Sequence, residues 1–524
     1  MNIYKTLHKV VRLLVLFLTV LNYCFSFAYS ISPYDCGLSE ATTGEQRYQV
    51  LYETHTKALA VGAAVDYSGI SFLEITIPKN AKSIPLADNN DFKNVRIVVT
   101  NHTKDFFLFR YINQSMSIDV LAKDIDVGCF IKYPELREGR HLLAISDDSL
   151  WVDKRQNYNY GHTRKDILLV SNGIARNKTI MPYNNKNSAP KCLIYELQSH
   201  SVVVKNITFQ RVEGNEYKTY LFDIKGLDNL CLKNIRIITP KSDLTDDVAI
   251  RIYDCTNVTL SNISIKGTYS RTDHSGYGIN LNNIWNLYVD NMFGQGNWGV
   301  FGNNNLNEVT VTNSKINRFD IHCYGKNIAF KKVTFFDLYN QFSSTFGTIS
   351  FDRCEFDDFI PIINGTSYNA YVAYDLVFNK CTLYVNNKCN YLIKAGRIDT
   401  VVNKRPELTK KCWPNIKIKN MKVVVDDDVS DFYLFKVLKD NSCNYNIRYI
   451  SQISISKMMF CHNTNGSPVN FYFSNKKVAT DNTLKIQIKK LDNVSVINPQ
   501  INIDNDKNTI SIRKSRYSTL IMKE

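Results

Sequence analysis

An asparagine recurs at a fixed place in successive apolar segments of this 524-residue chain. The segment VVVKNITFQ (202–210) is followed 28 residues later by LCLKNIRII and after 28 more by VTLSNISIK. The asparagines at the fifth position are Asn206, Asn234, Asn262, Asn291 and Asn313. Self-similarity at a period of about 20–50 residues is typical of repeat architectures. This spacing constrains the fold more than any other feature of the sequence.

The repeated segments predict a solenoid of short strands. They begin at Val202, Leu230, Val258, Leu287, Val309, Ile328, Ile349, Leu376 and, after an insertion, Ile416. No helical periodicity lies between them, which predicts an all-β, single-stranded right-handed parallel β-helix. Because stacked strands lie about 4.8 Å apart, the asparagines are expected to hydrogen-bond as a ladder. The next position is mostly apolar and should stack inside: Ile207, Ile235, Ile263, Met292, Ser314, Val333, Cys354 and Cys381.

The ends of the chain suggest a domain organisation. Residues 1–30 combine a basic start, the apolar run LLVLFLTVL and the small-residue site AYS, as in a secretory signal peptide. No later segment is apolar enough to cross a membrane, so the protein is expected to be secreted, periplasmic or at the cell surface. Residues 31–190 are predicted to hold an N-terminal β segment with a cap and early coils, and 191–430 the regular coils. Residues 431–524 form a C-terminal β-rich extension, either late coils or a small appended β-structure.

The charge of the chain limits the classes of binding partner that are plausible. Removal of residues 1–30 takes away Lys5, Lys9 and Arg12, so the formal net charge falls from +15 to +12. A basic exported protein could bind acidic polysaccharide or anionic surfaces, although a Lys- and Asn-rich composition explains the charge equally well. No basic block or RNA-binding aromatic motif is present, which argues against nucleic acid.

Cysteine usage leaves the redox state open. Twelve cysteines remain in the exported chain and could form disulfides. Cys231, Cys354 and Cys381 lie in apolar strand patterns, where a thiol is typically a small buried hydrophobe. The absence of paired C-x-x-C motifs argues against zinc. The sequence does not define the disulfide or oligomeric state.

A second short strand precedes the first in each repeat and predicts an exposed face. These strands are FDI (222–224), IRI (250–252), INL (279–281) and FDI (319–321). Alternation predicts outward positions for Asp223, Lys225, Arg251, Tyr253, Asn280, Asn282, Gly299, Phe301, Asp320, His322, Gln341 and Ser343. The inserted segments 241–248 and 267–278 are expected to wall this face. Loops on a rigid scaffold commonly carry function.

On its coil repeats, the chain resembles the pectate-lyase-like superfamily of secreted right-handed β-helices over roughly residues 50–430. That superfamily includes polysaccharide lyases, polygalacturonase-type glycoside hydrolases and phage tailspikes, so the resemblance implies a carbohydrate-active protein. The polygalacturonase motifs Asn-Thr-Asp, Asp-Asp, Gly-His-Gly and Arg-Ile-Lys are not reproduced together. Asp246 and Asp247 form the only aspartate pair near a coil strand, and GYG (276–278) stands where a histidine triplet would be. No catalytic residue is therefore carried over.

The candidate catalytic residues come from the predicted face and its loop. His322 beside Asp320 could transfer protons, and Arg271, Asp273 and His274 share a loop that could bind a uronate carboxylate. A solvated histidine and a polar turn are the alternative interpretations. Asp223 and Asp320 lie four coils apart, about 19 Å, which is too far for paired-carboxylate hydrolysis. The candidate substrate-binding residues are Arg251, Tyr253, Asn280, Asn282, Trp298, Phe301, Tyr324 and Gln341.

These observations predict an exported β-helix protein that degrades an acidic polysaccharide, with a lyase favoured over a hydrolase. The alternative is a non-catalytic glycan-binding or adhesion protein on the same scaffold. No motif requires a cofactor or metal, although Asp246, Asp247 and Asp273 could supply oxygen ligands to Ca²⁺. If His322 and Arg271 prove dispensable, the irregular segment 151–173 is the next candidate region.

Overall fold

The computed structural model describes most of the chain after residue 29. The described residues are 30–101, 106–119, 133–152, 162–180, 190–197, 201–212, 219–239, 248–266, 277–295, 299–321, 324–337, 340–342, 345–357, 362–364, 373–395, 415–437, 452–462, 468–474, 478–479, 485–488, 491–492, 494–498, 501–502 and 509–512. The predicted signal peptide lies almost wholly outside these residues.

An α-helix, Gly44–Val61, packs against the first strands of the solenoid and caps its N-terminal end. Its start is fixed by a capping box, in which Thr43 and Gln46 exchange side-chain and backbone hydrogen bonds. Its end is Gly62, which has a left-handed backbone conformation. Tyr48 and Leu51 on the inner side of the helix belong to the core of the coils. The sequence reasoning predicted a cap but not this helix.

The remaining regular structure is dominated by parallel strands. Before residue 113 they are Ser30–Ile31, Ala64–Asp66, Phe72–Thr76, Ile84–Pro85, Asn89–Asn101 and Phe106–Ile112. The central strands are Val202–Arg211, Thr219–Lys225, Asp228–Ile238, Val248–Lys266, Tyr277–Asp290, Phe293–Gln295, Gly299–Thr312, Lys315–Ile316, Phe319–Ile321, Gly325–Lys331, Thr334–Phe335, Asn340–Phe342, Thr345–Asp352, Glu355–Phe356, Ile362–Asn364, Ala373–Asn379, Cys381–Val385, Tyr391–Ala395 and Asn415–Val425.

The register of these strands confirms the predicted repeat. Val202 pairs with Leu230, Leu230 with Val258, and Val258 with Leu287, all in parallel. The same column continues without a break to Ile416. Parallel strands joined in sequence take right-handed crossovers. The chain is therefore a right-handed parallel β-helix.

Parallel pairing also continues beyond residue 430. The late strands are Asp431–Val437, Gln452–His462, Val469–Ser474, Val478–Ala479, Lys485–Ile488, Leu491–Asp492, Val494–Asn498, Ile501–Asn502 and Thr509–Ile512. In the same column, Ile416 pairs with Ile453, Ile453 pairs with Ile486, and Ile486 pairs with Ile510. The described strands of this region thus continue the parallel pairing of the coils.

The asparagine ladder is present, and the backbone explains why it is asparagine. The amide of Asn234 donates to Asn206 at 2.7 Å, Asn262 donates to Asn234 at 2.9 Å, and Asn291 donates to Asn262 at 2.7 Å. Each ladder residue from Asn206 to Asn313 has a left-handed backbone, with φ between 47° and 63°. Asparagine tolerates this conformation better than most residues. Each one therefore turns the chain at a corner and also bonds to the coil below.

The corners divide each coil into three sheets. Sheet A contains segments 106–112, 219–225, 248–253, 277–282, 299–304, 319–321 and 340–342. Sheet B contains segments 202–205, 230–233, 258–261, 287–290, 309–312, 328–331, 349–352 and 376–379. Sheet C follows the asparagine corner and contains segments 207–210, 235–238, 263–266, 293–295, 315–316, 334–335 and 355–356.

The core is a set of apolar columns inside the coils. The column after the asparagine corner is buried from Ile207 to Cys381, as predicted. Cys354 and Cys381 lie in it as buried free thiols, whereas Cys231 is half-buried on the outer side of its strand, so its predicted burial is wrong. All cysteines of the described residues are free thiols in this structure.

A small antiparallel sheet is inserted between the early and the central coils. Its strands, in spatial order, are Ile174–Ala175, His162–Ser171, Arg140–Val152, Lys191–Glu196 and Ser115–Asp119. One of its apolar sides contains Leu142, Ile167 and Tyr195 and packs against Trp285 of the solenoid. Short 3-10 helices occur at Pro33–Cys36 and, within the insertion, at Pro134–Leu136.

Candidate functional site

The outer side of sheet A brings together polar residues from successive coils. Its middle column runs Arg110, Asp223, Arg251, Asn280, Gly302, Asp320 and Gln341, each paired in register with the next. The inward neighbours Phe222, Ile250 and Ile279 are buried, as the predicted alternation requires. Inward columns therefore hold the coil together, and this outer column is available for other roles.

A carboxylate held by two arginines lies at the N-terminal half of the face. Asp223 accepts from Nε of Arg110 at 3.0 Å, and from Nε and Nη2 of Arg251 at 2.8 and 2.9 Å. Asp223 is 2% exposed, whereas the side chains of Arg110 and Arg251 are 45% and 32% exposed. A single buried anion thus orients two cations that still reach solvent.

Aromatic rings complete this cluster. The guanidinium of Arg251 lies 4.3 Å from the ring centre of Phe107 and 5.2 Å from that of Tyr253. Phe107 in turn contacts Tyr220, with ring centres 4.8 Å apart. Burial lowers the pKa of Arg251, but its hydrogen bonds to Asp223 and its interactions with the charges of Tyr253 and Asp223 together raise that pKa overall. Burial raises the pKa of Tyr253, which keeps its hydroxyl protonated. We call Arg110, Asp223, Arg251, Phe107 and Tyr253 the arginine–aromatic cluster.

A second polar group lies further along the face. The Tyr277 hydroxyl donates to Asp320 at 2.7 Å, and Arg318 forms an ion pair with the same carboxylate oxygen. Gly302 makes room for this arrangement, because a Cβ there would come within 2.4 Å of the Tyr277 ring. Both Asp320 and Arg318 are buried. Four coil steps separate Asp223 from Asp320, so these two carboxylates cannot act on one bond.

The inserted sheet flanks one edge of sheet A. Tyr195 from the insertion donates to Asp254 at 2.8 Å and covers Gly226, where a Cβ would come within 2.5 Å of its ring. Burial, followed by the charge of Asp254, raises the pKa of Tyr195. Arg140 of the insertion forms an ion pair with the buried carboxylate of Asp228. These contacts attach the insertion firmly beside the arginine–aromatic cluster.

Several predicted positions are corrected by the structure. Phe301 points into the core between Ile279 and Phe319, so its predicted outward position is wrong; Gly302 is the outward residue of that coil. Tyr324 is buried at a corner and offers no ring to a ligand. Asp320 and Gln341 lie on the outward column but are buried rather than solvated.

Other predicted residues keep their places. Arg251, Tyr253, Asn280 and Asn282 lie half-buried on the outer side of sheet A, as predicted. The predicted candidates His322, Arg271, Asp273, His274, Trp298, Asp246 and Asp247 lie outside the described residues. Their proposed roles stay predictions.

Sequence reasoning missed the residues that complete the two clusters. Arg110 lies before the aligned repeats, 113 residues from Asp223, and only the parallel register places them side by side. Tyr277 lies two positions before, and Arg318 one position before, the strands that the alternation identified. Extending the alignment backwards to FFLFRYI (106–112), which matches the alternation of TYLFDIK (219–225), could have found Arg110.

Two features are absent from the described residues. No group of three or more His, Cys, Asp or Glu side chains there is placed to hold a metal ion. Within the same ranges, no helix has the length and hydrophobicity needed to span a bilayer.

The strand register and the corners define a right-handed parallel β-helix. A similar solved structure is the tailspike protein gp49 from Pseudomonas phage LKA1, with a TM-score of 0.59, 12% identity, and coverage of 92% of this chain and 84% of that one. Another is the gp54 tailspike of Acinetobacter baumannii bacteriophage AP22, solved with a capsular saccharide, with a TM-score of 0.48, 10% identity, and coverage of 93% and 77%. At these identities the similarity concerns the fold. No protein-family profile matches the sequence, and no curated protein sequence is significantly similar to it.

Proposed function

We propose that this protein is an exported β-helix that binds an acidic polysaccharide on the outer side of sheet A. The observation that carries the proposal is the arginine–aromatic cluster, in which Asp223 holds Arg110 and Arg251 in place beside Phe107 and Tyr253. A planar guanidinium binds a carboxylate through two parallel hydrogen bonds. An acidic sugar would find both a cation and an apolar ring surface here.

The charge balance of the cluster supports an anionic ligand. Two guanidinium groups share one carboxylate, which leaves a net positive charge on a partly solvated surface. Lys225 lies on the same side of the strand but is paired with Asp254 at 3.8 Å, so the excess charge comes from the two arginines. Asn280 and Asn282 in the next coil could donate and accept hydrogen bonds with sugar hydroxyls.

Cleavage of the bound chain is the second candidate function, and elimination is favoured over hydrolysis. The observation for it is the convergence of Tyr277 and Arg318 on Asp320, four coils from the carboxylate of Asp223. Hydrolysis by two carboxylates requires about 5–9.5 Å between them, and these two are too far apart. Elimination needs a cation at the uronate carboxylate and a proton-transferring group, which His322 and the loop 267–278 are proposed to supply.

Binding and cleavage can be separated by one set of experiments. The protein is incubated with a panel of uronic-acid polysaccharides, and binding is measured in parallel by light scattering or surface plasmon resonance. New ultraviolet absorbance from an unsaturated product indicates a lyase, and new reducing ends without it indicate a hydrolase. Saturable binding without either indicates the binding function alone.

A variant series locates the site. Arg251→Ala should weaken binding about tenfold or more, because charge-assisted hydrogen bonds contribute roughly 1.5–3 kcal/mol each. Arg251→Lys should recover little, since an ammonium lacks the planar fork. Arg353→Ala is the matched control: Arg353 is a solvent-exposed arginine paired with Asp352 at the corner after sheet B. If Arg251→Ala binds as well as Arg353→Ala, sheet A is not the binding surface.

A further inference from the structure

A second group of cations and rings lies on the outer side of sheet C. Nζ of Lys266 is 5.5 Å from the ring centre of Phe293, and Nζ of Lys315 is 5.1 Å from that of Phe336. The two rings are stacked, with centres 6.4 Å apart and planes 23° apart. These four residues come from four successive coils, since the segments that carry them pair in register.

The backbone fixes Phe293 in its outward position. Gly294, the next residue, lies inward against Val300, and a Cβ there would come within 2.4 Å of the Val300 side chain. Phe293 therefore alternates outward, in the column of Ser264, Lys315 and Thr334. The two Ser and Thr members are ordinary solvent-facing strand residues. Phe293 differs from these two residues, because its half-buried ring exposes apolar surface in the same column.

Among the described residues, no counter-ion neutralises the cations of this surface. No described carboxylate lies within ion-pair distance of the ammonium group of Lys266 or Lys315. Arg236, in the same column as Phe293 and two coils before it, is exposed and adds a further positive charge. The surface therefore combines an apolar ring with cations that no described carboxylate neutralises, which favours a flat ligand that carries an anionic group.

We propose that Lys266, Phe293 and Lys315 form a second saccharide-binding surface, which takes a carboxylated sugar residue. The ring of the sugar packs on Phe293, and its carboxylate lies between the two ammonium groups. The choice of a uronic acid rather than another anion rests on the function proposed for sheet A. The surface itself is separate, because sheet C lies on a different side of the coil from Arg110 and Arg251.

Tetragalacturonate is a suitable probe, because it carries one carboxylate per sugar and is short. Its binding to the full-length protein is measured by isothermal titration calorimetry, with cellotetraose as the uncharged comparison. Phe293→Ala and the double variant Lys266→Gln/Lys315→Gln should each raise the Kd for this surface about five- to tenfold. Cellotetraose should bind weakly to all proteins. Because both lysines are exposed, the lysine double variant should fold normally and tests the surface even if Phe293→Ala misfolds.

Matched controls lie on sheet B. Tyr288→Ala removes an exposed aromatic ring, and Lys331→Gln removes an exposed lysine charge. Both controls should bind tetragalacturonate as the unaltered protein does. If the sheet C variants bind as tightly as these controls, or if tetragalacturonate does not bind at all, the inference is wrong.

The two proposals fail in different ways. Loss of binding in Arg251→Ala without any effect of Phe293→Ala would leave only the sheet A proposal standing. The reverse pattern would place the saccharide on sheet C and overturn the sheet A site. A two-site isotherm that loses a different site in each variant would support both surfaces.

Discussion

Substitution of Asn262 tests whether the asparagine ladder stabilises the solenoid and by which mechanism. Asn262 makes two ladder hydrogen bonds, as donor to Asn234 and as acceptor from Asn291. Its φ is 52°, in the left-handed region. Each lost hydrogen bond should cost roughly 0.5–1 kcal/mol, at the low end because the residue is exposed. An alanine in the left-handed conformation should cost about 1 kcal/mol more.

Two variants separate these contributions. Asn262→Ala loses both the hydrogen bonds and the favourable backbone, so we expect a decrease of about 2–3 kcal/mol in the free energy of unfolding. Asn262→Gly loses the hydrogen bonds but tolerates the left-handed backbone, so we expect about 1–2 kcal/mol. Urea unfolding followed by circular dichroism measures both. If unfolding does not reach equilibrium, unfolding rates at fixed urea give the same ranking.

The comparison can refute the reasoning in two ways. Equal losses for Asn262→Ala and Asn262→Gly would show that the left-handed corner contributes nothing. Losses below about 0.5 kcal/mol in both would show that the ladder does not stabilise the fold, since this is the usual effect of a neutral surface change. Binding on sheet A should be unchanged in either variant, because Asn262 lies at the corner between sheets B and C.

Two further predictions concern buried polar groups. Burial lowers the pKa of His55 to about 3, from its ordinary 6.5, so the unfolded chain binds a proton that the folded protein excludes. The free energy of unfolding should therefore fall as the pH drops below 6.5, by about 2 kcal/mol at pH 5. Unfolding measured at pH 7 and at pH 5 should show this decrease, and His55→Phe should make the decrease smaller. Asn303 is fully buried in register with Leu281 and Ile321, and neither polar atom of its side chain has a hydrogen-bond partner among the described residues. Asn303→Leu should raise the free energy of unfolding by about 1–3 kcal/mol; a lower value than that of the unaltered protein would indicate that the amide is satisfied.

The coil register could be predicted from sequence because its signals are local. Four of the five corner asparagines are followed by an apolar residue, and both residues are visible in a single repeat. The coil at GVFGNNNL (299–306) has no such alternation, because Asn303 takes an inward position and Gly302 an outward one. That irregularity is why Phe301 was assigned to the wrong side of its strand.

The candidate site was less predictable because its members are far apart in the chain. Arg110 and Asp223 are separated by the inserted antiparallel sheet, whose strand directions no periodicity reveals. The capping helix Gly44–Val61 carried a recognisable signal in its Thr43 and Gln46 capping box. The rest of the helix has a weak amphipathic pattern, because apolar and polar residues are mixed around it.

The difference between sheets A and B gives the strongest reason to place function on sheet A. A β-helix needs only its inward columns for stability, so outward positions can carry small polar or β-branched residues at little cost. Sheet B does this at Thr310, Ala329 and Ser350, which follow one another in its outer column. Sheet A instead buries Asp223 beneath two arginines, although burying a charge is costly unless it is well paired. The fold does not require that arrangement, and two oriented cations are what the acidic ligand proposed for sheet A would need.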